Sequence, residues 1–121
     1  MGVNINDKTQ PFTDQILDGE KTIETRNKPT LHSYVGKRIG IIKTGQGRAM
    51  LVGYATVGQP VKYDTVEDFM ADYSRHLVKM GSQFDIVHFG SKWGYPMLDV
   101  ERTTPIPIYS RGIVSRKLET Y

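Results

Sequence analysis

Between residues 9 and 26 the hydrophobic pattern changes period from helical to extended. Phe12, Ile16 and Leu17 fall on one face of a short helix of about two turns. Thr9 is placed to cap that helix, and Pro11 sits in its first turn, where a missing N–H costs nothing. Gly19 suits the stop, because it takes a left-handed conformation cheaply. The chain then runs Lys21-Thr22-Ile23-Glu24-Thr25-Arg26. Read as a strand, its period of two puts Thr22, Glu24 and Arg26 on one face and Ile23 and Thr25 on the other. Lys21 belongs with the second face unless a bulge, or the turn at Gly19, re-aims it.

Residues 27–37 read as a loop containing Pro29 and Gly36. Residues 38–43, with Ile39, Ile41 and Ile42, read as a strand, and 50–57 as its return partner. The turn cluster Thr44-Gly45-Gln46-Gly47 between them predicts a hairpin. Thr65 with Asp68 forms a capping-box pattern, followed by Val66, Phe69, Met70, Tyr73 and Leu77 at helical spacing and by Gly81 beyond the end. The pattern assigns nothing to 82–94. Residues 95–101 alternate as a strand, Pro105 and Pro107 argue against a central strand there, and 112–118 read as a final strand. Short strands, two helices and no regular β–α alternation predict one α+β domain over 1–121, built on a small barrel.

The face carrying Glu24 and Arg26 changes this picture from fold to site. An acid and an arginine make a poor core face, because unpaired buried charge is costly. Such a face suits a wet cleft, or else an exposed ion pair on an edge strand worth about 0–1 kcal/mol. The net charge of +3 and isoelectric point near 9.2 permit a polyanionic partner. Its distribution says more. From Lys21 to Arg48 the bases are Lys21, Arg26, Lys28, Lys37, Arg38, Lys43 and Arg48, against the single acid Glu24. From Asp64 to Asp72 there are four acids and no base. With no cysteine in the chain, disulfides, thiol catalysis and zinc–thiolate sites are excluded. No apolar run approaches the ~20 residues that span a bilayer, and the N-terminus has no signal-type apolar core, so a cytoplasmic protein without a membrane partner is expected.

Other motifs carry less. Gly45-Gln46-Gly47 between Lys43 and Arg48 lacks the Gly-Lys-Ser/Thr ending of a phosphate loop and reads as a hairpin turn, whose charges could still touch a nucleic-acid backbone. His32, His76 and His88 have no ligand spacing, His76 reads as a partly exposed helix position, and no metal or cofactor is expected. Trp93-Gly94-Tyr95 is either a core anchor or a platform on which unpaired bases stack, at about 1–3 kcal/mol per base. Tyr34, Tyr54 and Tyr109 carry the same ambiguity.

The segment Gly19-Glu20-Lys21-Thr22-Ile23-Glu24-Thr25-Arg26 behind an apolar helix resembles the signature of the ASCH domain family, a branch of the PUA-like superfamily. Val35-Gly36-Lys37-Arg38-Ile39-Gly40-Ile41 is similar to the family's second strand. Tyr95-Pro96-Met97-Leu98-Asp99-Val100-Glu101-Arg102, with Pro105-Ile106-Pro107 and Arg111-Gly112, is similar to its closing segments. The resemblance implies a small PUA-like β-barrel with two or three flanking helices and a positively charged cleft. It also implies a partner that is single-stranded RNA or a modified nucleoside, since family members include RNA-binding modules, a ribonuclease and amidohydrolases that deacetylate acetylcytidine. In those amidohydrolases the lysine of the Gly-x-Lys motif is proposed to work with a threonine three residues on and a distant glutamate. Lys21 keeps the lysine, but Glu24 stands at the threonine position, and a carboxylate cannot be activated as a hydroxyl nucleophile. The expected site therefore has Lys21 and Glu24 as catalytic candidates. Lys21, Arg26, Arg38, Lys43, Trp93, Tyr95 and Arg111 are the RNA-contacting candidates. RNA binding comes first, with possible ribonuclease action, and nucleoside amide hydrolysis or plain binding are the alternatives.

Overall fold

The computed structural model describes residues 1–109 and the strand Ser115–Arg116. Seven strands form one curled sheet: β1 (Gly2–Asn6), β2 (Ile23–Arg26), β3 (Arg38–Thr44), β4 (Met50–Val57), β5 (Val61–Tyr63), β6 (Lys92–Pro107) and β7 (Ser115–Arg116). Three short helices accompany them: α1 (Phe12–Leu17), α2 (Val66–Ala71) and α3 (Tyr73–His76). The sheet order is β2-β6-β4-β3-β1-β7, with β5 pairing β6 beside β4. Among the described strands only β1 and β3 pair in parallel; the other ladders are antiparallel.

The curl follows from breaks in register. The β3–β4 ladder shifts between Ile41 and Ile42, and the β4–β6 ladder shifts twice, between Leu51 and Gly53 and between Tyr54 and Thr56. Such bulges bend the bulged strand and increase its twist, so the sheet closes into a half-barrel. Gly53 sits at one of them for a steric reason. A Cβ there would lie 2.4 Å from the Glu101 carbonyl oxygen and 2.5 Å from Leu17 Cδ2. The absence of a side chain lets β6 and α1 close on β4 from two sides. Val3, Ile5, Ile16, Ile39, Ile41 and Ala55 fill the concave face with almost no exposure.

The α+β half-barrel agrees with the fold expected from the sequence, and so do the hairpin of β3 and β4 and the Thr65 cap, whose hydroxyl accepts from Asp68 N at 3.0 Å. Several details differ. Asp7, not Thr9, caps α1: its Oδ1 accepts from Thr13 N at 3.0 Å and its Oδ2 from the Thr13 hydroxyl. The second predicted helix splits at Asp72, whose carboxylate takes the Tyr63 hydroxyl and an Arg75 ion pair, and Leu77 ends α3 at φ 57°. His76 is fully buried rather than partly exposed. β6 runs straight through Pro105 and Pro107. It can do so because β2 covers only its 93–96 stretch, leaving β4 as its single strand neighbour at the prolines among the described residues. The strands β1 and β5 carry no element in the sequence reading. Of the expected 112–118 strand, only Ser115–Arg116 lies within the described residues, paired to β1.

Gly53→Ala is expected to lower the unfolding free energy by about 1–3 kcal/mol, the usual cost of overpacking a close approach. Urea denaturation monitored by circular dichroism measures it, and a midpoint equal to that of the parent chain would contradict the steric account.

Candidate functional site

β1 and β2 lie far apart in the sheet order, yet the curl brings them face to face across the open seam of the half-barrel. Arg26 spans the seam, donating from Nη2 to the Asn4 carbonyl at 2.5 Å. Beside this bridge lies a pocket of about 260 Å³, lined by Asn4, Ile5 and Asn6 of β1, by Glu24, Thr25 and Arg26 of β2, and by Phe12, Lys21, Phe84 and Lys92 among others.

Local chain geometry aims each charged side chain. Gly19, at φ 80°, turns the chain out of α1. Lys21 N then bonds Gln15 O at 2.9 Å and Thr22 N bonds Arg75 O at 2.9 Å, so β2 begins only at Ile23. Lys21 therefore escapes strand alternation and reaches the same cavity as Glu24. Its Nζ stands 3.8 Å from Glu24 Oε1, donates to the His76 carbonyl, and lies 4.7 Å from the centre of the Phe12 ring. On the other side Glu24 Oε2 receives Arg26 Nη2 at 3.1 Å. One carboxylate thus sits between two cations, all three little exposed. Burial pulls the Lys21 ammonium down to about 8, Glu24 opposes that pull and Arg26 adds to it.

The carbonyl under Lys21 is held by a buried imidazole. His76 Nδ1 accepts from Val78 N at 2.9 Å, so its Nε2, 2.6 Å from Phe69 O, carries the proton and donates. Both ring nitrogens are spent in the neutral form, and burial lowers the histidine pKa in the same sense.

Lys92 completes the charge cluster, and the sequence reading missed it. Glu24 opposes Tyr95 and Arg26 opposes Trp93 in the β2–β6 ladder, so register puts Lys92 on the Thr25 face. The pocket takes residues from both faces, wrapping the outer edge of β2. Lys92 Nζ donates to Phe84 O at 2.5 Å and is ringed by Phe89, Phe69 and Phe84 at 5.2, 5.8 and 5.9 Å. Burial lowers it too, to about 8, with Glu24 opposing and Lys21 and Arg26 reinforcing. A lysine between an unassigned segment and a tryptophan gives no local signal. The one clue was its position next to the Trp93-Gly94-Tyr95 run.

Of the expected site residues the fold brings together Lys21, Glu24 and Arg26. It sets Arg38, Lys43, Trp93 and Tyr95 elsewhere. Tyr95 is fully buried, its hydroxyl 2.6 Å from His32 Nδ1, which removes it as a stacking surface. Trp93 is half-buried outside the pocket lining, edge-on to His32 at 4.7 Å with Lys62 Nζ 5.4 Å from its ring centre. Arg38 is exposed and engages Glu101 at 2.8 Å and the Asp99 carbonyl at 3.0 Å. Lys43 borders a separate shallow hollow with Asp7, Lys8 and Gln46. Arg111 lies outside the described residues. Gly45-Gln46-Gly47 is a turn folded on the end of β1, where Gln46 Nε2 donates to Asp7 O and Lys8 O at 3.3 Å. Among the described residues no group of three or more histidine, aspartate and glutamate side chains is arranged to hold a metal ion, and no helix is long and apolar enough to cross a membrane.

The sequence model of the ASCH domain matches residues 9–106. No curated protein matches the chain. Among solved structures the fold is similar to that of ASCH from Zymomonas mobilis. A Tyr-to-Phe mutant of that protein gives a TM-score of 0.68 at 20% identity, covering 88% of this chain and 76% of that one. A Ser-to-Ala mutant gives 0.66 at 22% identity, and a third structure gives 0.63 at 21%, each covering 88% of this chain and 73% of the other.

The two buried lysines make stability depend on pH with a definite sign. A lysine that holds its proton to 10.5 when unfolded but only to about 8 when folded leaves the unfolded chain binding more protons between those values. Stability must then rise with pH in that window. Urea midpoints are expected to climb from about pH 8 to 9.5, below the unfolded tyrosine pKa of ~10, and Lys92→Met is expected to flatten the climb. A Lys92→Met chain with the parent slope would show that Lys92 keeps an ordinary pKa.

Proposed function

The chain belongs to the ASCH domain family, and on that basis we propose that it binds single-stranded RNA, seating one nucleotide in the pocket at the β1–β2 seam. One observation carries this reading: three little-exposed cations, Lys21, Arg26 and Lys92, surround one carboxylate, Glu24, in a cavity open to a ligand. At about 260 Å³ it falls just below the ~300–1,000 Å³ typical of small-molecule sites. That size suits a single unit of a strand and not a tract of several. Arg26 supplies a planar fork of donors suited to phosphate or to a base edge, while Asn4, Asn6 and Asn27 add polar lining. Duplexes are disfavoured, since a paired base cannot enter so small a recess.

A catalytic version of the same reading has its own support. Lys21, lowered to about 8, stands 3.8 Å from Glu24. A buried amine poised near neutrality beside a carboxylate is the pairing general acid–base chemistry uses. In a ribonuclease Glu24 would take the proton of a 2′-hydroxyl that attacks the adjacent phosphorus, and the P–O5′ bond would break to leave a 2′,3′-cyclic phosphate. Lys21 would protonate the departing 5′-oxygen, and Arg26 would stabilise the charge gathering on the phosphoryl oxygens. Amide hydrolysis of acetylcytidine is the weaker alternative, because Glu24 occupies the place where the related amidohydrolases carry a threonine nucleophile.

Binding is tested by fluorescence anisotropy of labelled single-stranded RNA at fixed salt. Arg26→Ala is expected to weaken binding about tenfold or more, as loss of a charge-assisted contact costs about 1.5–3 kcal/mol, whereas Arg38→Ala should change it less than about twofold. Equal losses in both variants would place the RNA on the outer surface and remove the pocket from the reading. Melting curves on both variants control for folding.

Cleavage is tested on the same RNA by gel. Glu24→Gln is expected to abolish any cleavage and leave binding intact or tighter, because it removes an acid from a basic pocket. Turnover of acetylcytidine by the parent chain that vanishes in Lys21→Ala would instead establish the amidohydrolase.

A further inference from the structure

We infer that the pocket selects a phosphate monoester, the terminal phosphate of an RNA strand, over an internal phosphodiester or a neutral nucleoside. This rests on the RNA reading above and specifies which part of the nucleotide goes deepest.

Donor capacity supports it first. An ammonium has three donors, and among the described residues Lys92 commits one of them, to Phe84 O. The carboxylate whose charge it feels most, Glu24, is already ion-paired to Lys21 and Arg26. The phenylalanines around Lys92 stabilise its charge through their ring faces but accept no ordinary hydrogen bond. Arg26 has a further unspent donor: its Nε is buried and has no hydrogen-bond partner among the described residues. Buried donors without partners cost about 1–3 kcal/mol each. A ligand oxygen that reached Arg26 Nε would relieve that cost, and a second could take a further N–H of Lys92.

Charge supports it independently. Among the described residues that line the cavity, Lys21, Arg26 and Lys92 against Glu24 leave a surplus of two positive charges, with Asp85 acting on Lys92 from outside the lining. An internal phosphodiester brings one negative charge and a nucleoside none. A phosphate monoester carries about −1.5 to −2 near pH 7, which matches the surplus and presents three acceptor oxygens. The cavity volume accommodates such a group with its sugar, leaving the rest of the strand outside the seam. The monoester could come from the 5′ or 3′ end of an RNA or from a free mononucleotide, and the chemistry at Lys92 and Arg26 is the same for each.

The test uses the full chain and one labelled single-stranded RNA in three forms: 5′-phosphorylated, 3′-phosphorylated, and with hydroxyls at both ends. Cytidine, cytidine monophosphate and inorganic phosphate serve as competitors. One phosphorylated form is expected to bind roughly tenfold tighter or more than the hydroxyl form, with cytidine monophosphate and phosphate competing and cytidine not. In Lys92→Met, and in Arg26→Lys, which keeps a charge but has no Nε, the ratio of the two affinities should collapse toward one. The parent-chain ratio decides the matter even if a variant fails to fold. Equal affinity for all three RNA forms would overturn the monoester site and leave the RNA reading standing. Binding of cytidine monophosphate but of no RNA would uphold the monoester site and overturn the RNA reading. Binding of neither would overturn both.

Discussion

The hydrogen bond from Arg26 to the Asn4 carbonyl is the contact on which the rest of the site depends. Among the described residues the sheet curls without closing, with β2 at one margin and β7 covering only the Gly2–Val3 end of β1 at the other, and an open margin is a liability for any β protein. Here a side chain substitutes for the missing ladder. Arg26 reaches β1 and also holds Glu24, and the gap beside that bridge is the pocket. The cavity and the bridge across the seam therefore belong to one feature of this fold.

Holding that gap open with charge is expensive. Removing ionised groups from water costs several kcal/mol apiece, and a buried ion pair seldom returns more than it lost in desolvation. Replacing the cluster by apolar side chains of similar volume would be expected to leave stability unchanged or raise it. The lowered pKa values of Lys21 and Lys92 express this penalty directly, since burial is the first cause of each. Backbone carbonyls under both ammonium groups, from His76 and Phe84, and phenylalanine rings beside them offset part of it. The neutral His76 belongs to the same support: both of its nitrogens are engaged, which fixes the turn that presents its carbonyl to Lys21. The arrangement makes chemical sense if it serves a ligand, because the surplus of cations is then compensated on binding.

The helix-to-strand passage around Gly19 was legible in the sequence because its signals are local: an apolar helical face, a glycine at the stop, and an alternating charged strand. Lys21, Glu24 and Arg26 emerged as a group for that reason. Pairing Lys21 with Glu24 required one more fact, that Lys21 and Thr22 precede β2, their N–H groups held by the Gln15 and Arg75 carbonyls. The strand β1 does alternate, with Val3 and Ile5 against Asn4 and Asn6, but five residues with no turn signal before them are too short a pattern to stand alone. The prolines near the end of β6 were read correctly as barring a central strand, but not as residues the strand runs through. They exclude a central strand position, and among the described residues β6 is central near Trp93 and has only β4 beside it near Pro105.

By itself the sequence determined the family, the α+β class, the β3–β4 hairpin, the Thr65 cap and the charged strand of the site, all of which rest on periodicity, turn chemistry or a contiguous motif. Only the tertiary structure decided which distant residues share the pocket. Lys92 joins Lys21 and Glu24 across about seventy positions of chain, Tyr95 turns inward to His32, and Arg38 and Lys43 turn away to other surfaces. The reason is physical: strand register assigns each side chain to one face or the other, and the curl of the sheet sets which faces meet. Both are fixed by long-range packing, of which no local stretch of sequence carries a record.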